Sequence, residues 1–210
     1  MKCDKGFTLV ELLVSVGIAG VVIAGVFGVY HSQQKSYAKQ EQITAMQQNL
    51  RAAMYIMERE IRMAGHNPTN TAGVGIQTAD DNLIRFTMDM TGGFTDGLDN
   101  DGDGTVDNTE EANFGNGKTT EPNEDITYSL YTPADGIKKL GRKTGTGSNK
   151  PVAENIESLE FLYLGQTGGT VGNTSEIRSI EITIEAKAAK DDKIPNKTLT
   201  TRIRCRNLGL

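Results

Sequence analysis

The chain has 210 residues, 27 of them acidic and 22 basic, for a formal charge of −5. An acidic chain is a poor partner for nucleic acid, because phosphate binding needs a basic face. Length allows one domain plus an extension, and 24 glycines with no Trp predict a modest core with much loop, concentrated at 65–75, 91–123, 141–150 and 165–175.

The N-terminus is dominated by residues 12–30, LLVSVGIAGVVIAGVFGVY, a run of 19 without a charge. At about 1.5 Å per residue it nearly crosses the hydrocarbon core of a bilayer, and Phe7–Leu9 lengthen it. Lys2 and Lys5 precede it, which predicts a cytoplasmic N-terminal side and an exported bulk. Gly17, Gly20, Gly25 and Gly28 weaken a helix in water, but in lipid they permit close helix approach. A secretory signal peptide ends at a small-residue cleavage site. Here the run continues instead into a polar helical stretch. Glu11 is the anomaly: a carboxylate within an apolar helix is costly and needs a partner.

Gly6-Phe7-Thr8-Leu9-Val10-Glu11-Leu12-Leu13, behind a short basic leader, resembles the processing site of type IV prepilins and of type II secretion pseudopilins. The resemblance implies removal of leader 1–6 by a prepilin peptidase cutting between Gly6 and Phe7, and N-methylation of the new Phe7 amine. Glu11 would then meet the N-terminal amine of a neighbouring subunit, which supplies its missing partner and sets register. Residues 7–30 become the transmembrane and filament-core segment. The implied partners are other pilins or minor pilins, the peptidase and the inner-membrane assembly machinery. The implied location is a single-pass inner-membrane protein with an exported C-terminal domain, reaching the pilus or cell surface after assembly. Loss of the leader takes two lysines and one aspartate, shifting the charge from −5 to −6, and also removes Cys3. Cys205 then stands alone and cannot form an internal disulfide.

Residues 31–64 form the continuation of the helix, with Ile43, Met46, Leu50, Met54, Met57, Ile61 and Ala64 in one apolar stripe at spacings of three and four. Glu58 and Arg62 are placed as an i,i+4 pair on the outer surface. Gly65 stops the helix and Pro68 confirms the break, which gives a helix of more than 50 residues. The segments Gln48–Met54, Arg59–Gly65 and Arg204–Leu210 resemble the PilW-like minor-pilin assembly family.

Residues 65–210 read as a β-rich exported domain. Leu83–Met88 within Ile76–Met90 reads as a strand. In 125–132, Ile126, Tyr128 and Leu130 share a face; 152–164 alternates; Ile180, Ile182 and Ile184 face inward against Glu181, Thr183 and Glu185. The final strand, 198–206, puts Leu199, Thr201, Ile203 and Cys205 on one face, after a turn around 190–196. If Leu199 and Ile203 point inward, so does Cys205, as a small buried hydrophobe. The predicted fold is α+β and pilin-like: a long N-terminal helix packed on an antiparallel sheet, with an acidic calcium-loop insertion at 96–111.

That insertion carries seven acidic residues and no basic one. Within it, residues 99–110 match the twelve-residue calcium loop. Asp99, Asp101 and Asp103 fall at positions one, three and five, and Gly104 at the sharp turn. Thr105 offers its carbonyl, Asp107 acts at position nine and Glu110 closes the shell. Thr91-Gly92-Gly93 precedes the loop where a helix would stand in a paired calcium-binding domain, so the expectation is an isolated loop holding Ca2+ between strands. No catalytic arrangement is visible. His31 and His66 are the only histidines, and neither a phosphate loop nor a nucleophile elbow is present. The reading is therefore a structural minor pilin for initiation or assembly of a type IV pilus. The alternatives are a type II secretion pseudopilin or a tip-exposed, calcium-shaped adhesion subunit.

Overall fold

The computed structural model describes residues 6–68, 70, 73–91, 97, 99, 104–110, 115–189 and 193–209. One helix, α1, runs Leu9–Ile61, and the chain divides into two units, Met1–Thr44 and Ala45–Leu210. In the first unit the described side chains of the apolar run are exposed: Val21 is 75% and Phe27 68% exposed. In the second, the helix buries Met46, Leu50, Ala53, Met54, Met57 and Ile61, the stripe expected from spacing. Ile43, at the head of that stripe, is only half-buried. Arg62 and Glu58 pair across one turn on the exposed side.

The helix ends where Gly65 adopts φ +80, a conformation that disfavours a side chain. There is also no room for one, since a Cβ would sit 2.6 Å from Leu208 Cδ2. The Gly65 N–H donates to the Thr87 carbonyl at 3.0 Å and the Asp89 N–H to the His66 carbonyl at 2.8 Å, so the helix exit is sewn to the end of a strand.

The expected single sheet is instead two antiparallel sheets. Five strands, β1 (Gly75–Asp80), β2 (Leu83–Thr87), β3 (Asp125–Tyr131), β4 (Lys139–Thr144) and β5 (Lys150–Glu154), form one in sequential order. Strands β6 (Ile156–Leu164), β7 (Ser179–Ala186) and β8 (Lys197–Arg204) form the other. The stretch 152–164, expected to contain an alternating run, is divided at Asn155, whose φ of 58 turns the chain from β5 into β6. Asparagine tolerates this left-handed geometry better than most residues. The Asn155 carbonyl then accepts from the Lys187 N–H at 2.9 Å, fixing the corner to the second sheet.

Strand β4 overlaps the region 141–150 assigned to loop. Gly141 is its reason for being there: a Cβ would meet the Tyr131 ring at 2.8 Å. The glycine that reads as a breaker is thus a point of close strand packing. The remaining alternation holds. Ile180, Ile182 and Ile184 are fully buried, as are Ile126 and Tyr128, while Leu130 is half-buried at the strand end. Leu159, Phe161 and Tyr163 face the same core from β6, whose register shifts between Ile156 and Ser158. Tyr163 links the sheets, its hydroxyl donating to the Asp80 and Leu83 carbonyls at 2.9 and 3.1 Å. The two layers cover the helical stripe, since neither a sheet face nor a helix stripe can be buried alone.

Candidate functional site

The N-terminal element is built around Thr8 and Glu11. Thr8 donates to Glu11 Oε2 through both its backbone N–H and its hydroxyl, each at 2.9 Å, while the Glu11 N–H donates to Thr8 Oγ1 at 3.3 Å. This reciprocal arrangement is a capping box at the start of α1. Its signature, Thr-x-x-Glu ahead of an apolar run, stands in the sequence at 8–11. Glu11 therefore has a local partner in the single chain. Phe7, directly before the cap, is 91% exposed, and Gly6 is exposed beside it, which leaves the 6–7 peptide open to an enzyme. Downstream, α1 is long and apolar enough to cross a membrane.

In the exported domain, Glu60 of α1 is held by Arg142 of β4, whose Nε lies 3.0 and 2.9 Å from the two carboxylate oxygens. The buried Tyr128 hydroxyl donates to the same carboxylate. Burial, then the carboxylate it bonds, raise the tyrosine pKa far above its ordinary value. Arg142 also donates to Asn123 Oδ1 at 3.0 Å. Helix, sheet and the segment that leads into β3 thus meet in one charged cluster. Sequence alone gave no sign of it, because positions 60, 123, 128 and 142 share no period.

Two buried carboxylates tie the described segments on either side of the acidic stretch to each other. Asp89 accepts from the Asn116 and Gly117 N–H groups at 2.9 and 3.0 Å. Glu124 Oε1 accepts from the N–H groups of Met90 and Thr91, both at 2.8 Å, and from the Thr91 hydroxyl at 3.0 Å. Its buried Oε2 has no hydrogen-bond partner among the described residues. Burial, and next to it the carboxyl of Glu121, push the Glu124 pKa upward.

Of the calcium-loop residues, Asp101 and Asp103 lie outside the described residues. Asp99, Thr105, Asp107 and Glu110 are described and exposed. Gly104 has φ +90, the sharp turn its position demands, and its N–H donates to Asp99 Oδ2 at 2.9 Å. Asp107, at φ 55, accepts from the Gly97 N–H at 2.9 Å. Asp99 and Asp107 are thereby engaged with loop backbone, and among the described residues no group of three or more His, Cys, Asp or Glu is disposed to hold a metal. Cys205 is buried at 3% exposure and free, and burial pushes its thiol up to about 12.

An apolar helix with no core of its own, attached to a separate β-rich domain, defines a single-pass inner-membrane protein whose C-terminal domain is exported. It is a prepilin-like protein: residues 1–27 match the Prokaryotic N-terminal methylation motif. Residues 39–205 match the Prepilin peptidase-dependent protein B family, and the chain belongs to that family. No curated protein matches the chain. The assignment makes it a structural, non-catalytic subunit of the minor-pilin and pseudopilin kind, a partner of prepilin peptidase, other pilins and their assembly machinery.

Proposed function

We propose that the chain acts as a pseudopilin, a minor subunit of a secretion-type filament. Its family membership across most of the exported domain carries this reading. Processing falls between Gly6 and Phe7, where the backbone is exposed ahead of the Thr8–Glu11 cap. Glu11 exchanges its local Thr8 partner for the amine of a neighbouring subunit on assembly, so that no bare carboxylate remains in the apolar filament core. A strain lacking the chain is expected to lose secretion of exported proteins while keeping surface pili. The reverse pattern, pili lost and secretion kept, would move the chain to pilus initiation. Mass spectrometry of the membrane form should find a methylated Phe7 terminus; an intact Met1 in cells with active peptidase would sink the cleavage assignment.

The acidic insertion is read as a calcium-dependent stability element. The residues fit a hard cation in donor chemistry, with five carboxylates and one backbone carbonyl at the loop spacing, and the Gly104 turn has the required hand. Asp99, Asp101, Asp103, Asp107 and Glu110 would hold Ca2+ through carboxylates and Thr105 through its carbonyl. Binding would offset the mutual repulsion of these groups. Calorimetry on the full chain in uncharged detergent should give a calcium heat that Asp101→Ala abolishes. A wild-type chain showing neither heat nor thermal stabilisation at millimolar calcium would reject the site.

A further inference from the structure

Six of the chain's nine arginines line two clefts that share Arg206, although the chain as a whole is acidic. The first cleft, about 690 Å³, takes Arg59 and Arg62 from the end of α1; the second, about 530 Å³, takes Arg178, Arg202 and Arg204. Among the described residues no lysine lines either cleft, and the one side-chain carboxylate that does, Glu58, is paired with Arg62.

The arginines divide into fixed and available. Arg178 Nη1 donates to the Ser175 and Ile177 carbonyls, both at 2.8 Å, and Arg202 donates to Ser179 Oγ. Arg59, Arg204 and Arg206 are exposed and make no ion pair among the described residues. Gathering like charges around one surface is unfavourable, and stability alone gives no reason for it.

The first cleft also carries apolar side chains beside these charges. Tyr55 is 67% and Met90 36% exposed, and Met63 lines the same cleft. Arg, Tyr and Met are the residue types enriched where proteins meet, and lysine and carboxylates are depleted there. Guanidinium groups pair with planar oxyanions in bidentate fashion, which a lysine point charge cannot do. A bare phosphate would use the arginines and leave Tyr55 and Met90 in water. A peptide bearing both carboxylate and apolar side chains would use both.

We propose that these clefts form the docking surface for an acidic, apolar-containing segment of another protein subunit. The filament reading identifies that subunit as a neighbour in the assembly; the binding chemistry stands apart from it. The test uses the full chain in uncharged detergent with a fluorescein-labelled peptide of alternating Glu and Leu, and a Gln and Leu counterpart as control. Fluorescence anisotropy should show the Glu peptide binding at least about tenfold more tightly than the control, with the difference shrinking as salt rises from about 0.05 to about 0.3 M. Arg204→Glu with Arg206→Glu should abolish binding without moving the thermal midpoint. Arg59→Gln, on the exposed helix face, should weaken it and serves if the double variant misfolds. Equal binding of both peptides, or binding unmoved by these variants, overturns the proposal. So does full displacement of the peptide by inositol hexakisphosphate, which would assign the clefts to phosphate. In cells, the double variant should be processed and inserted normally yet fail in secretion. Wild-type secretion would overturn the docking role and leave the family assignment intact.

Discussion

Helix α1 keeps one backbone and meets two solvents. Up to Tyr30 the helix is apolar on every side and its side chains are exposed; from Met46 to Ile61 one stripe is buried while the other faces stay in water. A helix apolar all round needs lipid or neighbouring helices, whereas a striped helix needs one layer of sheet. The first half therefore serves insertion and assembly, and the second holds a domain together. Mutations in the two halves should fail in different assays.

The largest expected contrast is Met57→Ala against Val22→Ala. Met57 is fully buried, and truncation should cost about 2–5 kcal/mol through lost transfer energy and a cavity. Val22 is 58% exposed, and its truncation should leave domain stability within about 0.5 kcal/mol. Chemical denaturation followed by far-UV circular dichroism is the measurement, since there is no Trp to report. Equal losses at both positions would break the division of labour.

A smaller effect is expected at Glu60. Glu60→Ala strips Arg142 of its paired carboxylate and Tyr128 of its acceptor, both partners lying largely inside the domain. The loss should be about 2–3 kcal/mol, with Glu60→Gln recovering part of it by keeping an acceptor for Tyr128. If Glu60→Ala were as stable as wild type, the cluster would be a surface decoration rather than the bond between helix and sheet.

The smallest effect is a slope with pH. The Glu124 pKa is raised above its ordinary 4.5 by burial and then by Glu121, so the folded domain holds its proton more tightly than the unfolded chain. The associated stability is complete below the ordinary value and is lost as pH rises through the higher folded one. Glu121 runs the other way: burial is outweighed by hydrogen bonds, from Asn116 foremost, and its contribution fades on acidification. Glu124→Gln mimics the neutral carboxyl, accepting from Met90 and Thr91 and donating toward Glu121. Thermal midpoints across the range above pH 4.5 should fall less steeply for this variant than for wild type. An unchanged slope would remove Glu124 from the account.

Much of this was legible before the fold was known. The apolar run, the stripe from Met46 to Ile61, the inward face of Ile180, Ile182 and Ile184 and the burial of Cys205 all follow from a fixed period along the chain. Strand β4 was not legible, because Gly141 reads as a turn residue until Tyr131 is seen packing against it. Nor was the break at Asn155, where one residue's left-handed backbone divides the expected single sheet into two. The capping box at Thr8 and Glu11 could have been found from spacing alone.

Sequence by itself determined what repeats or is contiguous: the membrane-length helix, the processing-type motif around Gly6, Phe7 and Glu11, the strand faces and the acidic loop spacing. Those features are set by side-chain transfer energies and local geometry, which act over a few residues. Tertiary structure decided which distant residues meet. It placed Glu60 on Arg142 and Tyr128, joined residues 89–91 to 116–124 through Asp89 and Glu124, and drew arginines 59 to 206 around adjoining clefts. Such pairings depend on how layers stack, and charges far apart in the chain carry no periodic trace of the partner that neutralises them.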